Sequence, residues 1–422
     1  MKKVVLVAGL LACNLIFSQD NHPYFIKNYK APDFKLRYLM ANFGSNGSGN
    51  FVSDNFDSRL DGSLHYYHIS NSKKYQGEVG STYILRFGHS SDTNHHTIGL
   101  SNQIANNIQN RFYFKELWFV GVHDYSSIRL ANSGETNQNG SASFRLFMQP
   151  QVSIGYGRLE YVQFARRAMD IEYLFKKNKI YNESFSENQL KTIADKIALI
   201  SNKRYLDRRI GLMDQLELLD NTLQDLGIGS EKNIRYFAQL MDSYVFANHM
   251  HRRSGFRAEL GVSESLGIFY NTASPLDLGL NYTHGFLDLQ YHLPTNYALQ
   301  HTFRFSTLGG IRQDLINNNN EPGLWAIANY TLGWYPNTRT ELYTNATLGS
   351  SFEDNDAGYY SQLSLDFYYY FSPRFRLNAT ASYYLGSTYT QPTIFNLVPS
   401  TSNVNGGLHG YRFNLGFSYA IF

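Results

Sequence analysis

In the stretch HYYHISNS, His68 and Ser70 stand two residues apart, with Asn71 beside them. On a β-strand that spacing puts both on one face, where an imidazole can take the serine proton as the hydroxyl attacks an ester. A second group, His89, Asp92, His95 and His96 in HSSDTNHH, has the donor types to gather a divalent metal or to meet lipopolysaccharide phosphates. A plain hydrophilic loop accounts for it better. EF-hand, zinc and P-loop spacings do not occur in the sequence, and the reading includes no metal and no cofactor.

The charged residues follow a stricter pattern. Glu78, Arg86, Arg257, Glu259, Arg304, Asp366, Arg376 and Arg412 each fall on the polar parity of a segment whose other parity is apolar. In YRFNLGFSYAIF, Tyr411, Phe413, Leu415, Phe417, Tyr419 and Ile421 oppose Arg412, Asn414, Gly416, Ser418 and Ala420. Such period-two segments are strands with one greasy face. They recur near 34–43, 58–71, 75–88, 95–105, 112–130, 141–161, 256–270, 276–292, 297–310, 322–334, 339–350, 358–371, 375–387 and 408–422. Roughly fourteen strands of this length suit a bilayer crossing, which takes about ten tilted residues.

Connections between these segments alternate in length. SKK, NNIQNR, LPTN, YPNT and SPR are short and turn-forming, whereas stretches such as NSGETNQNG and RQDLINNNNEP are long and polar. In LWAIANYTLGW the alternation is less clean, because Trp325 and Ile327 fall on the smaller face. Near NYTHGFLDLQY the apolar parity switches from Leu276, Leu278, Leu280 and Tyr282 to Leu287, Leu289 and Tyr291, which predicts a bulge at about His284-Gly285.

Between 163 and 254 the period becomes helical. A helix is expected over about Phe164 to Lys177, and Ser186 with Gln189 forms a capping box ahead of Leu190, Ile193 and Ile197. Leu212, Leu216, Leu219, Leu223 and Leu226 form a seam that stops at Gly227, and a further helix from about Ser230 would bury Ile234, Phe237, Ala238, Met241 and Val245. The leucine seam either buries itself against sister helices, the simpler outcome, or binds a partner.

Composition agrees with this organisation. The chain has 33 Tyr, 30 Phe and 33 Gly, but a mean hydropathy of only −0.37. No later run approaches the roughly 18 apolar residues of a membrane helix. MKKVVLVAGLLACNLIFSQD has the layout of a secretory signal peptide, and LLAC loosely resembles a lipidation box at Cys13, the one cysteine in the chain. The net charge of +3 gives no reason to expect nucleic acid as a partner.

The chain resembles the Gram-negative outer-membrane β-barrel proteins, in its alternating strands, its short and long connections and its terminal Phe422. That resemblance implies a membrane all-β fold, a closed antiparallel barrel. Closure is physically required, since an open edge in hydrocarbon leaves backbone groups unsatisfied at several kcal/mol each. The expected organisation is a signal peptide over 1–18, barrel over 19–162, a periplasmic helical insertion over 163–254 and barrel again over 255–422. The eight charged residues would line the lumen. His68 and Ser70 also resemble the His-x-Ser pair of the outer-membrane phospholipase A and lipid A deacylase families, but they precede the short turn SKK, on the side away from the outer leaflet. The leading expectation is therefore a non-enzymatic, porin-like channel or transporter for small or amphipathic solutes, in contact with outer-membrane lipids and lipopolysaccharide. The alternatives are a non-conducting subunit whose helices dock a periplasmic or outer-membrane protein, and a lipid hydrolase.

Overall fold

The computed structural model describes residues 22, 24–50, 56–91, 96–135, 141–201, 208–228, 233–246, 252–272, 274–314, 319–353, 356–386 and 408–421. The N-terminal segment with Cys13, and Asp92 and His95 of the histidine-rich stretch, lie outside them. The strands are β1 Phe34–Asn50, β2 Phe56–Ser72, β3 Tyr75–Ser91, β4 His96–Tyr113, β5 Trp118–Glu135, β6 Ser141–Tyr161, β7 Arg253–Asn271, β8 Ser274–Pro294, β9 Leu299–Asp314, β10 Asn319–Asn337, β11 Thr340–Glu353, β12 Asp356–Tyr370, β13 Phe375–Gly386 and β14 Leu408–Ala420. Each pairs antiparallel with its sequence neighbours, and β1 pairs with β14 from Met40↔Ala420 to Asn50↔Gly410, so the sheet is a closed barrel.

One parity of every strand faces outward and is apolar. Phe43, Leu85, Ile104, Val122, Ile154, Leu260, Phe303, Leu348, Leu363, Leu385 and Phe413 are among its exposed side chains. A water-soluble barrel would not expose such a belt, which matches hydrocarbon. Among the described residues no helix is long and apolar enough to cross a membrane; the crossing is made by strands.

The sequence expectation needs local corrections. NNIQNR is not a turn but the end of β4, and the chain reverses at 114–117 instead. Its polar residues are tolerated because Gln109 and Arg111 point into the lumen, while outward Asn110 accepts the Tyr75 hydroxyl at 2.6 Å. The bulge is not at His284-Gly285, whose pairing is continuous. The β7–β8 register slips between Gly267 and Phe269 and again between Phe269 and Asn271, placing an extra β8 residue in each interval between Ser274 and Leu280. Beyond these slips Tyr282 and Phe286 point inward and pack with Leu308 and Trp325 as a small apolar cluster. This is why Trp325 broke the alternation.

Five helices complete the described fold: α1 Phe25–Asn28, α2 Gln163–Lys177, α3 Glu187–Ser201, α4 Arg208–Asp225 and α5 Ile234–Phe246. The capping box forms, with Ser186 N donating to Gln189 Oε1 at 2.8 Å and Gln189 N to Ser186 Oγ at 3.2 Å. Gly227 ends α4 in the left-handed region at φ +72°. Leu216, Leu219 and Leu223 are buried, and Leu212 and Leu226 pack on the same core. The leucine seam is thus used inside the bundle and is not available to a partner. α5 is rotated from most of its expected face: Val245 is buried as expected, with Tyr236, Leu240 and Tyr244, whereas Ile234, Phe237, Ala238 and Met241 are exposed. The tyrosines turn inward because their hydroxyls find acceptors, Tyr236 on Asp220 at 2.7 Å and Tyr244 on Gln215 at 3.0 Å.

Candidate functional site: the lumen and its helical stopper

All eight charged residues singled out above project from the inward parity, because their strand neighbours Leu85, Leu260, Phe303, Leu365, Phe375 and Phe413 occupy the exposed one. Several reach across the lumen. Arg111 on β4 donates through Nε and Nη2 to Glu259 Oε2 on β7, both at 3.1 Å. Glu259 Oε1 also meets His123 and Ser153. β4 and β7 are not neighbours in the sheet, so these bonds span the inner wall over the two strands between them, β5 and β6. Gly121 leaves the space they need, since a Cβ there would lie 2.2 Å from Ser153 Oγ and 2.7 Å from Glu259 Oε1.

A second bridge joins β3 to β7, where Arg253 Nη2 and the Tyr161 hydroxyl donate to Glu78 Oε1 at 2.6 and 2.8 Å. Arg304 grips Asp288 in two-pronged fashion at 2.8 and 3.3 Å, and Ser306 donates to the same carboxylate. Arg257 donates to Gln290 at 3.1 Å. Asp366 accepts from Asn345, Arg376 donates to Tyr370, and Arg86 lies 3.5 Å from Asp61. Arg412 faces the lumen on β14. These side chains are inside because the outward face would cost about 2–4 kcal/mol per arginine at the bilayer centre.

The helices pack on the rim of the short-turn mouth. Their apolar core is continuous with the barrel rim, for Phe34 of β1, Ile69 of β2 and Tyr161 of β6 belong to the same buried cluster as Phe164, Ile171, Ile193, Leu219 and Tyr236. Phe34 and Phe164 meet edge to face at 5.0 Å. From Gln163 to Glu172 every residue of α2 is buried, as befits a helix packed on all sides. α1, which the sequence reading did not foresee although YFIKNY is densely apolar, packs there through Phe25 and Ile26.

Polar ties reinforce this packing. Arg166 on α2 lies 3.6 Å from Asp170 and 3.8 Å from Glu341 of β11, with its guanidinium over the Tyr335 ring. Arg252 donates to the carbonyls of Asn296, Tyr297 and Leu299 and to Gln300 Oε1, binding the end of the insertion to the β8–β9 turn. On α5, Asp242 accepts from Arg339 at 2.7 Å and from Thr338 at 2.7 Å, both in the β10–β11 turn. Tyr29 donates to Asp195 of α3 at 2.9 Å. Burial pushes the Asp170 carboxyl up to about 6, against the pull of Arg166, Arg252 and Arg167. The sequence signal for this cluster was QFARRAMD, charged residues on a helix that is otherwise apolar; its partners in distant turns were not readable.

His68 and Ser70 do meet, with Nε2 and Oγ 2.9 Å apart on the outward face at the short-turn rim. Arg37 Nε, however, donates to His68 Nδ1 at 3.1 Å. A neutral imidazole that accepts at Nδ1 carries its proton on Nε2 and donates from there to Ser70. Among the described residues no group of three or more His, Cys, Asp or Glu side chains could hold a metal ion.

Fourteen strands, a lipid-compatible outer belt and a polar lumen define a transmembrane β-barrel of outer-membrane architecture. Solved structures of similar architecture include the translocator domain of the autotransporter NalP from Neisseria meningitidis, at 7% identity, covering 98% of this chain and 97% of that one with a TM-score of 0.36. They also include a TodX monoaromatic hydrocarbon channel variant, at 8% identity, 92% and 91% coverage and a TM-score of 0.37, and OccAB3 from Acinetobacter baumannii, at 7%, 92%, 99% and 0.31. At such scores they carry no argument about activity. No family model and no curated protein matches the chain.

Proposed function

We propose that the protein is an outer-membrane barrel kept shut at its periplasmic mouth by its own helical insertion, and that it passes small or amphipathic solutes when that insertion shifts. The single observation that carries this reading is the core shared by barrel rim and helices. An insertion needed only to turn the chain would have no reason to bury Phe34, Ile69 and Tyr161. The insertion lies at the end of the barrel opposite the longest of the other connections between strands, residues 387–407, and outer-membrane barrels carry their longer connections outside the cell. No enzymatic step belongs to this reading.

Planar-bilayer recordings test it. The whole protein should be silent or open briefly, and a version with residues 163–252 replaced by a short turn should give sustained conductance steps. Equal, steady conductance from both would make it an open porin and sink the gating reading.

A second reading, a non-conducting subunit that docks a periplasmic protein, draws on the exposed Ile234, Phe237 and Met241 along one side of α5. It predicts silence with or without the insertion, together with stoichiometric recovery of a partner in mild detergent.

A further inference from the structure

The outward wall of the barrel is not uniformly convex. Across β7 to β11, in its short-turn half, it carries an apolar groove of about 360 Å³. That lies within the roughly 300–1,000 Å³ of small-molecule sites. The groove exists because Ala328 and Ala346, both outward and exposed, leave a dent between larger neighbours. On one side stand Leu289, Phe305 and Leu348, in register across β8, β9 and β11. On the other stand Tyr291, Phe303 and Tyr330, whose rings form a continuous stack with centroids 6.5 and 4.9 Å apart.

The stack ends in a polar pair. His301 Nδ1 lies 2.9 Å from the hydroxyl of Tyr330, which lines the groove, and His301 is on the outward parity, one step nearer the rim. A polar pair facing outward is costly in hydrocarbon and favourable at the headgroup level. With the Tyr330 hydroxyl donating to Nδ1, the imidazole presents Nε2–H to a phosphate or ester oxygen.

We propose that this groove is a binding site for one glycerophospholipid, an acyl chain lying over Ala328 and Ala346 and the phosphate-ester region meeting His301. The occupant follows from the groove's continuity with the belt that already faces acyl tails, and from the place of the polar pair at the end nearer the rim. Only the leaflet depends on the proposed orientation, which makes it the periplasmic one; the site itself stands whether or not the barrel conducts.

Native mass spectrometry of the whole protein, titrated in detergent with palmitoyl-oleoyl phosphatidylethanolamine, tests the proposal. The wild type should retain one lipid more firmly than the rest. Ala328→Phe with Ala346→Phe should weaken that retention by about ten-fold or more, and the milder Ala346→Leu should weaken it measurably, each variant first shown to keep the heat-modifiable mobility of a folded barrel. His301→Ala should erase the preference for phospholipid over lauryl maltoside. Equal retention by wild type and the folded Ala346→Leu and double variants would overturn the site. Preferential retention of a lipid A probe would overturn the choice of a glycerophospholipid.

Discussion

Asp170 offers the sharpest test of how the stopper is held. Its carboxyl is 3% exposed inside α2, Oδ2 has no hydrogen-bond partner, and burial pushes it up to about 6, against about 3.9 for a solvated aspartate. The charged groups around it are Arg166, Arg167 and Arg252, with Asp242 opposing them. A carboxyl whose packed-state value is raised binds its proton more tightly when packed. The stopper is therefore least penalised below about pH 4 and loses stability as pH rises through 6. The full difference of roughly two units, at about 1.4 kcal/mol each, comes to about 3 kcal/mol, or on the order of a hundred-fold in the ratio of packed to loosened states.

Replacing Asp170 by Asn removes the titration while keeping the volume. Backbone hydrogen exchange across α2 reads the loosened population, and comparing wild type with the variant at one pH cancels the intrinsic exchange chemistry. At pH 4 the two should exchange α2 amides at similar rates. At pH 7 the wild type should exchange about a hundred-fold faster than Asp170→Asn. A protection ratio that stays the same at both pH values would refute the claim that Asp170 is buried with its charge incompletely compensated.

Other perturbations separate the remaining contacts. Arg166→Ala strands Asp170 and Glu341 without their cation and should destabilise the docked insertion by about 3–5 kcal/mol, read as rapid proteolysis within 163–252 while the barrel stays intact. Gly121→Ala puts a methyl against Ser153 and Glu259 and should lower the barrel's stability by about 1–3 kcal/mol, measured as an earlier unfolding midpoint in denaturant. Ser186→Ala removes half of the capping box and should cost about 1 kcal/mol, confined to exchange at the start of α3. Ser70→Ala should leave any trace ester cleavage by the purified protein unchanged; activity lost with that hydroxyl would revive the hydrolase alternative.

The barrel was legible because a lipid boundary enforces the simplest of patterns. Each strand must be apolar at every second residue, so Leu363, Leu365 and Tyr411, Phe413, Leu415 announce their face without knowledge of their neighbours. Where side chains inside the lumen pack on each other, the pattern fails, as at Trp325 and Tyr282. There an inward aromatic is stabilised by Phe286 and Leu308, contacts between strands that no local period reports. α5 failed for a related reason: a tyrosine counts as neither apolar nor polar until the acceptor for its hydroxyl, Asp220 or Gln215, is known. The lumen's charged residues could be placed on a face, but not matched. Arg111 and Glu259 are separated by the whole insertion in sequence, and only the pairing of β4 through β7 brings them together.

The stopper's attachments are unequal, and the inequality sets how it can move. Its two ends are pinned side by side, since Val162 N donates to the Arg252 carbonyl at 2.9 Å. The Arg252 side chain, 1% exposed, is committed to the β8–β9 turn. The tie between Asp242 and Arg339 instead involves an arginine side chain 42% exposed. A pair that open to solvent contributes about 0–1 kcal/mol. The buried Arg166 group is the stronger attachment. Displacement should therefore begin at the α5 end, where the least is lost, and turn about the Val162–Arg252 neck. Arg339→Ala alone should then leave the insertion docked, whereas Arg166→Ala alone should already loosen it, an inequality that equivalent tethers would not give.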